Sequence, residues 1–442
     1  MGRTRQGPLR VALVSLGCPK NLIDSEKMLA ALAAGGCIVA APMDEADVIV
    51  INTCGFLSAA RDESLGVIRE ALEHKRAGRA SRVVVAGCLP NRDGRRLYEA
   101  APGIDAVVGV NDRGRILAAV TGRRRFTRVS GCHGRIAPDD GRFRLTPRHT
   151  AYLRIAEGCS RRCSFCTIPA IRGPFRSKPP KTVLTEAAEL IADGAVELNV
   201  IAQETTAYGR DLPGKSNLAS LLRELDRLDG VRWIRLMYAY PRGFGDDLID
   251  AVAECERVVP YVDLPIQHIC DPVLRRMRRG VSRAATEKLL RRLRERVPGV
   301  AIRTTLIVGF PGETERQFGE LLEFVREFRF DAMGVFEFSA EEGTPSAGMA
   351  RQVPDELKAE RRRELMLAQR RIVLKANRQK VGRRIDVLVD GRGADGHTVG
   401  RFYGQAPDID GVCRLTRRRR AGSFVIGKVI DFEGYDLLVE PE

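Results

Sequence analysis

The stretch AYLRIAEGCSRRCSFC, residues 151–166, decides the fold. Its first half is apolar and closes on glycine, which predicts a strand over 151–158. Its second half reads CxxxCxxC, so Cys159, Cys163 and Cys166 fall in a loop directly after that strand. Downstream, ELNVIAQ (197–203), WIRLMYAYP (233–241), YVDLPIQH (261–268), IRTTLIVGFPG (302–312) and AMGVFEFS (332–339) read as further strands. Helical stretches separate them, EKLLRRLRERV (287–297) among them. About six βα units suit a partial α/β barrel better than a complete eightfold one, and active sites gather at the C-terminal ends of barrel strands.

Upstream, the pattern also alternates strand and helix. LRVALVSL (9–16), ADVIVINT (46–53) and RVVVAG (82–87) read as strands of a parallel sheet. The segment DSEKMLAALAAGG reads as a helix capped by Asp24 or Ser25 and stopped at Gly35, and a second helix is expected over 58–75. Periodicity lapses near 123–147, in TGRRRF and GCHGRIAPDDGRFRLTP, which reads as an irregular connection. A charged helix follows the central barrel. From about residue 383 short strands punctuated by Gly and Asp predict a small antiparallel barrel. The chain is therefore expected to be α/β, with an N-terminal parallel-sheet domain (8–125), a linker (126–147), a partial TIM-like barrel (148–374) and a small antiparallel β-barrel (375–442).

A length of 442 residues, 44% hydrophobic and 29% charged, is consistent with two or three globular domains. The formal charge of +16 is unevenly spread: +9 over residues 1–150, +3 over 151–370 and +4 over 371–442. A basic surface draws a protein towards nucleic acid or a nucleic-acid-rich particle; a solvated Arg-rich surface is the bland alternative. The start, MGRTRQGPLR, is basic, and the apolar VALVSL after it is too short for a secretory signal. No apolar run is long enough to span a bilayer. A cytoplasmic setting is expected, where the eleven cysteines read as ligands or catalytic groups rather than a disulfide framework.

Three thiolates at Cys159, Cys163 and Cys166 leave one vertex of a four-iron cube without a protein ligand, and an open coordination position is what catalysis needs. A zinc site would want a fourth ligand close by; His149, the nearest candidate, lies across a strand. Cys18 (GCPKN), Cys54 (NTCGF) and Cys88 (AGCLPN) are far apart in sequence, yet each follows one of the three upstream strands. Ligands bind outside the carboxyl ends of open parallel sheets, so these thiols would meet in one crevice. Taken singly, each would pass for a small buried hydrophobe, as Cys37, Cys132, Cys255, Cys270 and Cys413 do. Gln203 and Glu204, Gln267 and His268, and Gly309, Gly312 and Glu313 of GFPGE all end predicted strands, where they suit cofactor or substrate contacts or serve as rim polar groups.

The CxxxCxxC with its partial barrel resembles the radical S-adenosylmethionine superfamily. The upstream trio and the small C-terminal β-domain, there called a TRAM domain, resemble the methylthiotransferases across essentially the whole chain. That resemblance implies two 4Fe-4S clusters, on Cys159/Cys163/Cys166 and on Cys18/Cys54/Cys88. It implies S-adenosylmethionine at the open iron of the first, with Gln203, Glu204, Gly309, Gly312 and Glu313 as cofactor contacts. A deoxyadenosyl radical would take hydrogen from an unactivated carbon, a step suited to a radical cofactor. GCPKN, RGPFRS (172–177), AQETTAYG (202–209), AYP (239–241), LPIQH (264–268) and EEGTP (341–345) look like the branch that modifies an aspartate β-carbon of small-subunit ribosomal protein twelve. Residues 269–271 (ICD) and the run Arg417–Arg420 depart from its pattern. The partners implied are that ribosomal protein, with ribosomal RNA nearby, and a reductant such as flavodoxin or ferredoxin, with no membrane. The rival branch modifies adenosine in transfer RNA, and a non-catalytic iron–sulfur RNA-binding protein is the rival of another class.

Overall fold

The structure, a computed structural model, describes residues 7–132, 134–214 and 216–442; the first six of the basic start lie outside it. The chain forms two compact units. One comprises Met1–Leu145, Ala156–Arg161 and Cys166–Arg176, and the other Thr146–Ile155, Arg162–Phe165 and Ser177–Glu442.

The first unit is built on a six-stranded parallel sheet. Its spatial order is Ile38–Val39, Arg10–Ser15, Val48–Thr53, Arg82–Gly87, Ala106–Gly109 and Phe126–Arg128. The two central strands, VIVINT and RVVVAG, are buried along their whole length. Alternate residues serve opposite faces: Ile49, Ile51, Val83 and Val85 enter one apolar cluster, Val48, Val50, Val84 and Ala86 the other. Three of these strands follow from the apolar runs; the three short ones carry too few residues to stand out in sequence. Phe126–Arg128 falls inside the expected linker.

The first helix runs Pro19–Ala34, with Cys18 as N-cap and Gly35 as C-cap. It starts before the expected cap at Asp24 or Ser25, because Pro19 is preorganised for the first helical position. Asp24 and Ser25 instead lie inside the helix, both buried. The irregular connection is tied to this helix: Leu145 N–H donates to Glu26 Oε1 at 2.9 Å, and Arg142 pairs with Glu26 at 3.2 Å.

In the second unit six parallel strands pair in chain order: Thr150–Arg154, Glu197–Ile201, Trp233–Leu236, Val258–Asp263, Ala301–Val308 and Ala332–Glu337. This is the partial barrel. After the helix Asp355–Lys380, five strands between Arg384 and Pro441 close a barrel. It is antiparallel except where Cys413–Leu415 runs parallel to Asp436–Pro441.

The N-terminal ends of the large sheet's strands meet this small barrel around Glu197, a fully buried carboxylate. Arg235 Nη2 donates to it at 3.0 Å, Arg401 Nη2 at 2.8 Å and Thr150 Oγ1 at 2.8 Å. Arg401 also reaches Asp390, which faces His149 at 3.1 Å. Burial alone would raise the Glu197 pKa, but Arg401 and Arg235 outweigh it and hold it at about 2.

Glu197→Gln leaves two buried guanidinium groups short of their shared anion. It should cost about 3–5 kcal/mol in chemical denaturation of the full chain, as for a broken buried pair. Since the folded pKa is depressed, this stabilisation is complete above the ordinary value of 4.5 and lost as pH falls towards about 2. The gap between parent and variant should therefore narrow over that window; a gap that stays constant would contradict the assignment.

Candidate cluster sites and strand-end residues

Three strand ends of the first unit are laced together by short polar side chains. Asn21 Nδ2 donates to the carbonyls of Leu16 and Thr53 at 3.0 and 2.9 Å, just before Cys18 and Cys54. Asn52 Nδ2 donates to Asn21 O at 2.7 Å and to Ser25 Oγ at 2.8 Å, while Thr53 Oγ1 donates to Ala86 O at 2.6 Å. The consequence is that Cys18, Cys54 and Cys88 emerge side by side. A Cβ on Gly17 would stand 2.9 Å from Cys54 Cβ and 3.3 Å from its sulfur. Gly87, at φ +97°, allows a closer approach still: a Cβ there would lie 2.2 Å from Asn52 Oδ1 and 2.7 Å from Thr53 O.

Cys18 is exposed, Cys54 half-buried and Cys88 buried. Burial pushes the Cys88 thiol up to about 12, Arg172 opposes that rise, and Cys18 and Cys54 add to it as neighbours of like charge. A coordinating metal inverts this, since a ligating thiol is deprotonated outright. Three sulfurs on three adjoining strand ends are a donor set suited to an iron–sulfur cluster.

Arg172 is the charged centre of this region and was not singled out as a site residue by the sequence. It ends the helix Ile168–Arg172 and is 2% exposed. Nη2 donates to Asn21 Oδ1 at 2.5 Å, Asp24 Oδ2 at 3.0 Å and Cys88 Sγ at 3.3 Å; Nη1 donates to Glu157 at 3.1 Å. A buried acidic residue in the first helix was the available signal, but it read as a cap.

In the second trio, Cys159 is buried and Cys163 and Cys166 are half-buried. Cys159 N–H donates to Gly173 O at 3.0 Å, and Arg161 N–H to Cys159 Sγ at 3.4 Å. Gly158, at φ +78°, lies so near Pro174 O that a Cβ would be 2.1 Å away. In the second unit, Ser164 N–H donates to Met277 O at 3.0 Å and its hydroxyl to Arg276 O at 2.7 Å. Arg279 Nη1 stands 3.6 Å from Cys163 Sγ. Among the described residues, no three His, Cys, Asp or Glu side chains are grouped closely enough to hold a single metal ion.

Gln203 and Glu204 follow the strand Glu197–Ile201, and Gly309, Gly312 and Glu313 follow Ala301–Val308. Two strands intervene, so these are separate stations on one rim. Gly309 has a packing reason of its own: a Cβ would lie 2.2 Å from Lys358 Cγ. Glu313 closes its own turn, accepting from Phe310 N–H at 3.0 Å. Its Oε1 has no hydrogen-bond donor, lying 3.5 Å from Arg361 and 4.0 Å from His268 Nε2. Burial raises the Glu313 pKa to about 7 against the pull of Arg361, and burial with Arg276 and Arg361 lowers that of His268 to about 3. His268 Nδ1 accepts from Cys270 N–H at 3.0 Å.

Comparison with known proteins matches residues 10–109 to the uncharacterized protein family UPF0004, 153–325 to the radical SAM superfamily and 381–441 to the TRAM domain. A protein of Geobacter sulfurreducens named ribosomal protein uS12 methylthiotransferase RimO is 45% identical over 98% of both chains. A protein of Anaeromyxobacter sp. (strain K) with the same name is 46% identical over 97% of this chain and 92% of its own. Among solved structures, the radical S-adenosylmethionine methyltransferase TsrM of Kitasatospora setae, with tryptophan substrate and a SAM analog bound, shares the fold. Its TM-score is 0.54 at 16% identity, over 83% of this chain and 90% of that one.

The raised pKa of Glu313 sets a sign. Stability from burying it neutral is complete below 4.5 and declines as pH rises through about 7. Relative to Glu313→Gln, the parent's melting temperature should fall over that interval, by an amount equivalent to roughly 1–3 kcal/mol. Parallel curves for the two proteins would show that Glu313 does not titrate there.

Proposed function

The chain belongs to the family of ribosomal protein uS12 methylthiotransferases named RimO, and from that membership we propose that it inserts a methylthio group at the β-carbon of an aspartate of uS12. The observation that carries this is the pair of cysteine trios, each set on strand-end loops, in a chain alike to named uS12 enzymes over nearly its full length. The named relatives fall on the ribosomal-protein side, not the transfer-RNA side, of the two branches.

In this reading Cys159, Cys163 and Cys166 hold one 4Fe-4S cluster and Cys18, Cys54 and Cys88 a second. When bound, the two clusters and S-adenosylmethionine supply one-electron cleavage chemistry and sulfur for transfer. The chain's own part is to bind, orient and exclude. Asn21, Asn52 and Thr53 fix the strand ends that carry the first trio. Phe165, within the loop of Cys159, Cys163 and Cys166, packs edge-on against Phe310, which packs against Phe338, an apolar cluster suited to limiting water beside that loop. Gln203, Glu204, Gly309, Gly312 and Glu313 are proposed contacts for S-adenosylmethionine. The domain limits 8–125, 126–147, 148–374 and 375–442 belong to the same proposal. So does a reductant of the flavodoxin or ferredoxin type. The cytoplasm is the proposed compartment; among the described residues no helix is long and apolar enough to cross a membrane. The basic ends of the chain favour a substrate surrounded by ribosomal RNA.

Two variants test the division of labour. Cys163→Ala should lose reductive formation of deoxyadenosine altogether. Cys54→Ala should keep it and yield no methylthiolated uS12 by mass spectrometry. Deoxyadenosine from the first variant, or methylthiolated uS12 from the second, contradicts the reading. Methylthio label appearing on transfer RNA rather than uS12 would move the chain to the other branch.

A further inference from the structure

Each cysteine trio carries one buried guanidinium directed at one of its sulfurs. Arg172 Nη2 lies 3.3 Å from Cys88 Sγ and Arg279 Nη1 lies 3.6 Å from Cys163 Sγ. Their exposures are 2% and 6%. The two side chains are held by different means. Arg172 is fixed by Asp24, Glu157 and Asn21. Arg279 donates to the Pro265 carbonyl and lies over the Tyr240 ring, 4.3 Å from its centroid. Neither side chain can lose its charge, because a guanidinium stays protonated in proteins. Neither can swing away without leaving buried partners unsatisfied.

We infer that Arg172 and Arg279 are positioning residues, each donating to one cluster thiolate and raising the reduction potential of its own cluster. The inference rests on the two-cluster reading and extends it. Potentials of iron–sulfur centres follow net charge and hydrogen bonds to sulfur. Reduction adds a negative charge to the cluster, so a fixed cation beside a ligating sulfur favours the reduced state. Groups outside the ligand shell orient the ligands as well as tune them. Arg172 does this for Cys88 with the same side chain that holds Glu157, two residues before Cys159. The short helix that follows the CxxxCxxC loop thereby braces the Cys18/Cys54/Cys88 site within the first unit.

The test uses the full chain in two backgrounds, each keeping one trio. Cys159→Ala/Cys163→Ala/Cys166→Ala isolates the cluster on Cys18, Cys54 and Cys88; the converse triple variant isolates the other. Anaerobically reconstituted protein is assayed for iron and sulfide, and its midpoint potential is read by electron paramagnetic resonance during a redox titration. Arg172→Gln should lower the midpoint in the first background, and Arg279→Gln in the second. An unchanged midpoint in a variant that retains its iron overturns the assignment for that arginine. A second measurement avoids the folding risk of removing a buried charge. In protein labelled with arginine carrying nitrogen-15 in the guanidinium group alone, pulsed resonance of the reduced cluster should show a nitrogen-15 coupling that Arg172→Lys, or Arg279→Lys, abolishes. A coupling absent from the parent, or surviving in the lysine variant, counts against the inference. No iron in the first background refutes the cluster on Cys18, Cys54 and Cys88, no iron in the second refutes the cluster on Cys159, Cys163 and Cys166, and the inference for the corresponding arginine falls with it.

Discussion

Parallel strands laid side by side finish at one level, and everything chemical in the first unit depends on that. Arg10–Ser15, Val48–Thr53 and Arg82–Gly87 are neighbours in register, so Leu16, Thr53 and Gly87 bring the chain to one edge together. Backbone polar groups buried at such an edge need partners. Asn21, Asn52 and Thr53 provide them, and each bond joins one strand end to another or to the helix Pro19–Ala34. Cysteines separated by tens of residues thus become neighbours through sheet register rather than through any local motif. The glycine at 87 completes the arrangement, because any side chain would collide with Asn52 Oδ1 and with the Thr53 carbonyl that accepts from Asn21.

Glu197 and Arg172 are both buried charged centres, and they act differently. Glu197 sits at the N-terminal ends of the large sheet's strands, where two arginines and a threonine satisfy it and tie the small barrel to the sheet. That end of such a barrel is where burial and stability dominate. Arg172 lies at the opposite kind of place, against the sulfur of a strand-end cysteine. A buried ion pair gives little net stability over an apolar replacement. For Glu197 the return is a specified docking of one β-barrel on another sheet. For Arg172 it is a charge fixed beside a thiol.

The fold was legible wherever strands were long, apolar and buried on both faces. VIVINT and RVVVAG read as central strands because every position is buried. The edge pair Ile38–Val39 and the short strands Ala106–Gly109 and Phe126–Arg128 did not, since two to four residues carry no periodicity. The start of the first helix was misplaced for a physical reason: polar Asn21, Asp24, Ser25 and Glu26 look like a cap or a solvated face, yet all are buried. Their partners lie far along the chain; Asp24 meets Arg172 across 148 residues. Cysteine positions at strand ends could be read from sequence. The guanidinium groups facing them could not, since nothing in RGPFRS or in the turn around residue 279, after the helix Asp271–Arg276, states what the side chain will touch.

The placement of Arg172 joins these strands of reasoning. A cation that is always charged can be buried only where anions and acceptors meet it from several sides. Here they come from three stretches of chain: Asn21 and Asp24 from the first helix, Cys88 from a sheet edge, and Glu157 from beside the CxxxCxxC loop. Removing any one stretch leaves the guanidinium under-satisfied, so the three are mutually enforcing. The loop that bears Cys159 and the strand end that bears Cys88 therefore hold each other in place through a single side chain. The geometry of the first unit thus sets a permanently charged, buried side chain where two cysteine-bearing stretches meet, whichever substrate is served.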